Sequence, residues 1–130
     1  MDNHAKDLLA CLKVETLALL KGAVVSRPTT DFARYDRVID WNGRLYRAQI
    51  KFASVAAQHC SGAIALNLSK GKRAFYTREE IDALLVYIPQ SDSVYWFGPE
   101  VFDRRLALQI RLEPPRNNQR GCLMARDYLW

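Results

Sequence analysis

Histidine and cysteine are scarce in this chain, and where they fall excludes a block of chemistry. Only two histidines occur among 130 residues, His4 and His59, and they stand alone. The three cysteines, Cys11, Cys60 and Cys122, are odd in number and far apart, with no CxxC or CxxH pair. A zinc site is therefore not expected, and free thiols in a reducing cytosol are the simplest reading. No apolar run reaches the ~18 residues a membrane helix needs, so no membrane partner is expected. The opening MDNHAKDLLACL lacks the basic start and long apolar stretch of a signal peptide. Internal repeats and low-complexity tracts are also missing. These absences together describe a cytoplasmic protein.

What is present begins with apolar content. Hydrophobic residues make up 49% of the chain, enough for a real core, and the length suits a single domain spanning residues 1–130. Lys and Arg number 19 against 14 for Asp and Glu, a net charge of +5. Such a surplus favours a polyanionic partner, nucleic acid first. A mildly basic solvated surface accounts for it equally well.

Residues 5–21 read as a helix. Leu8, Leu12, Leu19 and Leu9, Leu17, Leu20 recur at helical spacing, and Gly22 stops it. Residues 23–26 read as a short strand and 27–33 as a loop. Strands at 34–41 and 44–52 flank Asn42-Gly43, the strongest short hairpin signal, because a type I′ turn needs positive φ at both central positions. Further strands are expected at 63–68, 94–97 and 107–112. A helix is expected at 78–86, capped by Thr77 with Glu80 three residues on. Residues 99–102 read as a turn or short helix, and 123–129 as a terminal helix. Tyr87, Tyr95, Trp96 and Phe97 read as core. Trp130 hints at burial in a subunit contact. The order predicts an α/β (α+β) domain with a mixed central sheet flanked by helices.

The hairpin carries the chemistry. A two-residue loop sets Trp41 opposite Arg44, so five steps away Asp36 faces Gln49, with Cβ atoms ~4.5–5.5 Å apart. Lys51, two residues beyond Gln49, points to the same face. Asp36 offers a hard anionic oxygen for Mg²⁺, Gln49 a neutral one, and the carbonyl of Ile50 a third. Lys51 can orient or help deprotonate an attacking water and offset developing negative charge. The group suits phosphodiester hydrolysis. The plain alternative is a cross-strand ion pair between Asp36 and Lys51, worth under ~1 kcal/mol if exposed.

Asp36, a hairpin of about a dozen residues, and then Gln49-Ile50-Lys51 resemble the core motif of the PD-(D/E)XK nucleases. The segments KGAVVSRPTTDFARYDRVIDWNGRLYRAQIK, YTREEIDALLVYIPQSDSVYWFGPE, LQIRLEPPRNNQ and ARDYL, spread over residues 14–129, are similar to the small endonucleases of this superfamily encoded by group I introns, the homing endonucleases. The resemblance implies a restriction-endonuclease-like fold and a Mg²⁺-dependent enzyme that cuts double-stranded DNA at specific sites. Mn²⁺ is an expected substitute, and Ca²⁺ an ion that binds without supporting cleavage. It also implies a homo-oligomer, dimer or tetramer, associated with the nucleoid of a bacterium or phage. Asp36, Gln49 and Lys51 take the catalytic positions, and Asp36, Gln49 and Ile50 the metal positions.

Two positions depart from the family pattern. Gln49 stands where Asp or Glu is more usual. The family also places a Glu on the first helix, about three turns before the loop glycine, and counting back from Gly22 reaches Cys11. Glu15, one turn later and between Leu12 and Leu19, is the candidate carboxylate. An inward carboxylate wants a metal or a cation, whereas an outward one is only a solvated helix residue. Asp7 is the weaker candidate.

Arg27, Arg34, Lys70, Lys72, Arg73, Arg116 and Arg120 lie in or beside expected loops, where they can hold phosphates. Asn117, with Asn118 and Gln119, can read bases, or simply form a polar turn. Two other readings share the fold: a nuclease of the Holliday-junction-resolving kind, and a DNA-binding protein that has lost catalysis. Gln49 and the missing helix Glu favour the last; Asp36 and Lys51 favour an enzyme.

Overall fold

From its N-terminus the chain forms α1 (Asn3–Leu20), β1 (Val24–Ser26), β2 (Arg37–Trp41), β3 (Arg44–Phe52), β4 (Ala63–Asn67), β5 (Ala83–Ile88), β6 (Ser93–Phe97), α2 (Pro99–Phe102), β7 (Ala107–Arg111), β8 (Leu123–Met124) and a 3₁₀ turn, Ala125–Tyr128. The computed structural model describes residues 1–54, 63–69, 75–114 and 122–130. The strands lie in a five-stranded sheet, ordered β1-β2-β3-β5-β6, and a three-stranded sheet, ordered β4-β7-β8. In the larger sheet β3 pairs parallel with β5, and the other neighbours pair antiparallel. The fold is α+β with mixed sheets. No helix is long and apolar enough to cross a membrane among the described residues.

Two apolar clusters cover the two faces of the larger sheet. On one face α1 packs Ala10, Val14 and Ala18 against Ile39, Ala48, Ile50, Leu85 and Tyr87. On the other, β4, β7 and α2 supply Ile64, Leu66, Leu108, Ile110 and Phe102 against Leu84, Val86, Ile88, Tyr95 and Phe97. The sheet is thus flanked by one long helix and, opposite it, by a second sheet with the short α2.

The contact face of α1 differs from the expected leucine stripes. Its fully buried residues are small and spaced i, i+4, i+8, while Leu8, Leu12, Leu19 and Leu20 are exposed. Small side chains let the helix lie close on the sheet, and of the expected leucines Leu9 and Leu17 pack, half-buried, against the same cluster.

The helix expected at 78–86 is not there. Thr77 and Glu80 do bond, Oγ1 to Oε1 at 3.0 Å, and Ile81 N–H returns to the Thr77 carbonyl, but this makes a single turn. ALLVYI then runs straight as β5, buried at every position. A continuous apolar run cannot be told from a helix by periodicity. Here both faces of the strand are covered, so alternation disappears. The terminal helix expected at 123–129 is likewise a short strand and a 3₁₀ turn. Trp130 is half-buried within its own chain. Its ring packs on Trp41 and Trp96 of its own chain, at centroid distances of 5.5 and 5.2 Å.

Candidate active site

Asn42 and Gly43 adopt φ of 52° and 78°, the left-handed values that a type I′ turn requires. The register they set holds from Trp41 opposite Arg44 to Arg37 opposite Ala48. It then breaks. Asp36 N–H donates to the Ala48 carbonyl at 2.8 Å, one residue out of step, so Asp36 and Gln49 do not pair as the register extrapolates. The Asp36 side chain turns along the end of β2, and its Oδ2 accepts the Ile50 N–H at 2.9 Å. The Ala48 carbonyl and Ile50 N–H both point toward β2. Strand alternation puts the Ile50 carbonyl on the same side, beyond Arg37, the first residue of β2.

Asp36, Gln49, Ile50 and Lys51 line one cavity of about 200 Å³, closed on its other side by His4, Asp7, Leu8 and Cys11 of α1. Positions 4, 7, 8 and 11 share a helix face. Gln49 and Lys51 alternate with Ala48 and Ile50, which face α1. The Lys51 Nζ lies 5.4 Å from the Tyr76 ring centroid. It does not form the alternative ion pair with Asp36 and acts on that carboxylate only as a nearby charge.

The electrostatics follow from this crowding. Burial pushes the Asp36 carboxyl above its usual range; the Ile50 N–H, Lys51 and Arg37 oppose the shift, and Asp7 adds to it. Burial also raises the Cys11 thiol, against the pull of Arg37 and with a push from Asp36. Cys11 is thus a neutral thiol where the family pattern has an acid.

Glu15, the expected helix acid, lies away from the cavity. Its Oε1 accepts from Arg37 Nε at 2.7 Å and from Arg27 Nη2 at 3.3 Å. Burial alone would raise its carboxyl, but the Arg37 hydrogen bond and the charges of Arg37 and Arg27 outweigh that and hold it below the usual range. Asp7 is the helix carboxylate that lines the cavity.

A divalent ion is the cofactor the fold family implies, and the donors here fit one. The Asp36 carboxylate, the Gln49 amide oxygen and the Ile50 carbonyl are hard oxygens, with Asp7 as a second anion on the rim. No group of three or more His, Cys, Asp or Glu side chains suited to a metal occurs among the described residues. The ion would therefore depend on neutral oxygens and water for the rest of its shell.

The expected DNA contacts divide. The Arg27 side chain is 63% exposed beside Glu15. Arg34 is held inside the chain, with Nε 2.9 Å from Glu80, Nη2 donating to the Phe75 carbonyl at 2.8 Å, and its guanidinium 4.2 Å from the Tyr76 ring centroid. Lys70, Lys72, Arg73, Arg116, Asn117 and Arg120 fall outside the described residues. Arg37 was missed, although the turn signals it. Alternation from Trp41 and Ile39 puts Arg37 on the helix-facing side, where a charge needs a partner.

The family model for PD-(D/E)XK endonucleases matches residues 1–130. Among solved structures the chain is similar to a bacterial homing endonuclease, I-Ssp6803I, with a TM-score of 0.76 and 21% identity over 99% of this chain and 89% of that one. At that identity the likeness is one of fold. A search of curated proteins finds no match.

Proposed function

We propose, since the chain belongs to the PD-(D/E)XK endonuclease family, that it is a Mg²⁺-dependent, site-specific endonuclease of the homing type, hydrolysing phosphodiester bonds in double-stranded DNA. The observation that carries this reading is the convergence of Asp36, Gln49, Ile50 and Lys51 on one cavity. Asp36, Gln49 and the Ile50 carbonyl would hold the divalent ion, and Mn²⁺ would replace Mg²⁺ without change of ligands. Once bound, the ion supplies charge for the phosphate and a more acidic water. Lys51 would orient the attacking water and set a positive charge against the anion that builds on the phosphate. The Ile50 N–H fixes the rotamer of Asp36, so its free oxygen is aimed before substrate arrives.

Incubation of a supercoiled plasmid library carrying randomised inserts, with and without Mg²⁺, tests the reading, because a site-specific enzyme cuts only the members that hold its site. Nicked and linear products that need the ion support it; unchanged plasmid at all ion concentrations, with DNA bound, rejects it. The second outcome is what a non-catalytic DNA-binding protein gives. Cys11 facing the cavity and Gln49 within it are the observations that favour that alternative. Preference for a four-way junction over linear duplex would mark the junction-resolving reading instead. The same proposal puts the protein at the nucleoid of a bacterium or phage, acting as a homo-oligomer.

A further inference from the structure

Asp36 is the last residue before β2, beyond the regular ladder, yet it must present its carboxylate at one angle. Its N–H donates to the Ala48 carbonyl, its Oδ2 accepts the Ile50 N–H, and its carbonyl accepts Arg37 Nη1 at 2.7 Å. The first two bonds come from β3. The third comes from Arg37, whose side chain is only 12% exposed and whose Nε is fixed by Glu15 of α1 at 2.7 Å. One planar guanidinium thus bridges a helix carboxylate and the backbone of Asp36.

We propose that Glu15 and Arg37 form a positioning relay that runs from α1 to Asp36, and that Glu15 acts through Arg37 and takes no place at the cation. Distance supports this. Glu15 lies one turn past Cys11, ~6 Å along the helix axis at 1.5 Å per residue, and it is absent from the cavity wall that Asp7 and Cys11 help to form. Geometry supports it too. Arginine can satisfy both acceptors with its rigid fork, whereas a lysine ammonium in the same place is a point charge on a flexible stem. The proposal rests on the nuclease reading, because positioning has meaning only if Asp36 holds an ion.

The test uses the full chain with a short random-sequence duplex, and measures Mn²⁺ affinity by electron paramagnetic resonance beside plasmid cleavage and thermal melting. Variants are Glu15→Gln, Arg37→Gln, the double variant, and Arg37→Lys, which keeps the charge and a partner for Glu15. Partners that orient metal ligands typically account for about 10- to 100-fold in metal affinity or activity. Each single glutamine variant should lose about that much in Mn²⁺ affinity and kcat, with KM for plasmid little changed, and the double variant should lose no more than the worse single one. Arg37→Lys should melt close to wild type and still lose cleavage and Mn²⁺ affinity. A purely structural pair would shift melting alone, and Arg37→Lys with normal Mn²⁺ affinity would overturn the proposal. So would Glu15→Gln losing Mn²⁺ while Arg37→Gln and Arg37→Lys keep it. If the wild type itself neither binds Mn²⁺ nor cleaves, the nuclease reading falls first and the relay with it.

Discussion

At the scale of single residues, the site is short of negative charge. Asp36 lines the cavity, Gln49 is neutral, Cys11 is a protonated thiol, and Asp7 lies across from Asp36 on α1. An acid at position 11 would face the same cavity. Cys11→Glu should therefore tighten Mn²⁺ binding, by about tenfold for ~1.4 kcal/mol of added attraction, and lower the melting temperature without metal, because it crowds carboxylates. Calorimetric titration checks this, and unchanged affinity would mean that position 11 does not reach the ion. The raised Asp36 carboxyl also gives a sign for pH. Its folded value lies above the ordinary one, so protons compete for it sooner than for a free aspartate. Mn²⁺ affinity should start to fall while the solution is still above the ordinary carboxylate range, and Cys11→Ala, which removes no charge, should leave that profile in place.

The same residues show what the sequence made legible. Asn42-Gly43 dictated a register that holds for five pairs, and that was enough to gather Asp36, Gln49, Ile50 and Lys51. The slip at Asp36 was not legible, because it lies in the bond from its N–H to the Ala48 carbonyl, one residue out of step, which no pattern encodes. Glu15 carried a real signal, an inward carboxylate in need of a cation, but the cation is Arg37. Reading its partner needed the facing strand as well as the helix.

At the scale of elements, the parallel pairing of β3 with β5 sets Gln49 beside Leu84 and Lys51 beside Val86. One side-chain pair stitches the start of that pairing. Asp82 takes the Arg47 N–H at 2.8 Å and its guanidinium at 3.0 and 3.1 Å, while Asp82 N–H returns to the Arg47 carbonyl. These bonds end the turn at residues 78–80 and start β5. A capping signal and an apolar run pointed to a helix instead, because the decisive partner lies 35 residues upstream. The Arg47 hydrogen bond is the main reason that the Asp82 carboxyl is held below its usual range. A depressed folded value means stability that is present above the unfolded value of ~3.9 and lost as pH falls through the folded one. Asp82→Asn should therefore melt below wild type at pH 7, and the gap should close on acidification below about pH 4. Equal melting at pH 7 would show that the Asp82–Arg47 pair contributes nothing to the junction.

At the scale of the whole molecule, one chain offers one candidate site, while a duplex has two strands to cut. Two copies related by a twofold axis are the simplest arrangement for a double-strand break. A single module typically buries ~600–1,000 Å² of its surface on DNA, so a rare site needs contacts from more than one. Light scattering should find a dimer or a pair of dimers; a monomer that still makes double-strand breaks would contradict this. With a net charge of +5, DNA affinity should fall steeply as salt rises, because phosphate contacts release counterions.

The most direct test of the central claim, that this cavity cuts DNA, is Lys51→Ala, assayed side by side for cleavage and for DNA affinity in Ca²⁺. Lys51 lines the cavity beside Asp36, and neither a hydrogen bond nor an ion pair ties it to the fold among the described residues, so its loss should spare stability. A charge that matters in the transition state more than in the ground state lowers kcat and leaves binding nearly alone. Cleavage should slow by about 100-fold or more, the scale of one lost electrostatic stabiliser, with DNA affinity within a few-fold of wild type. Cleavage at the wild-type rate would contradict the claim.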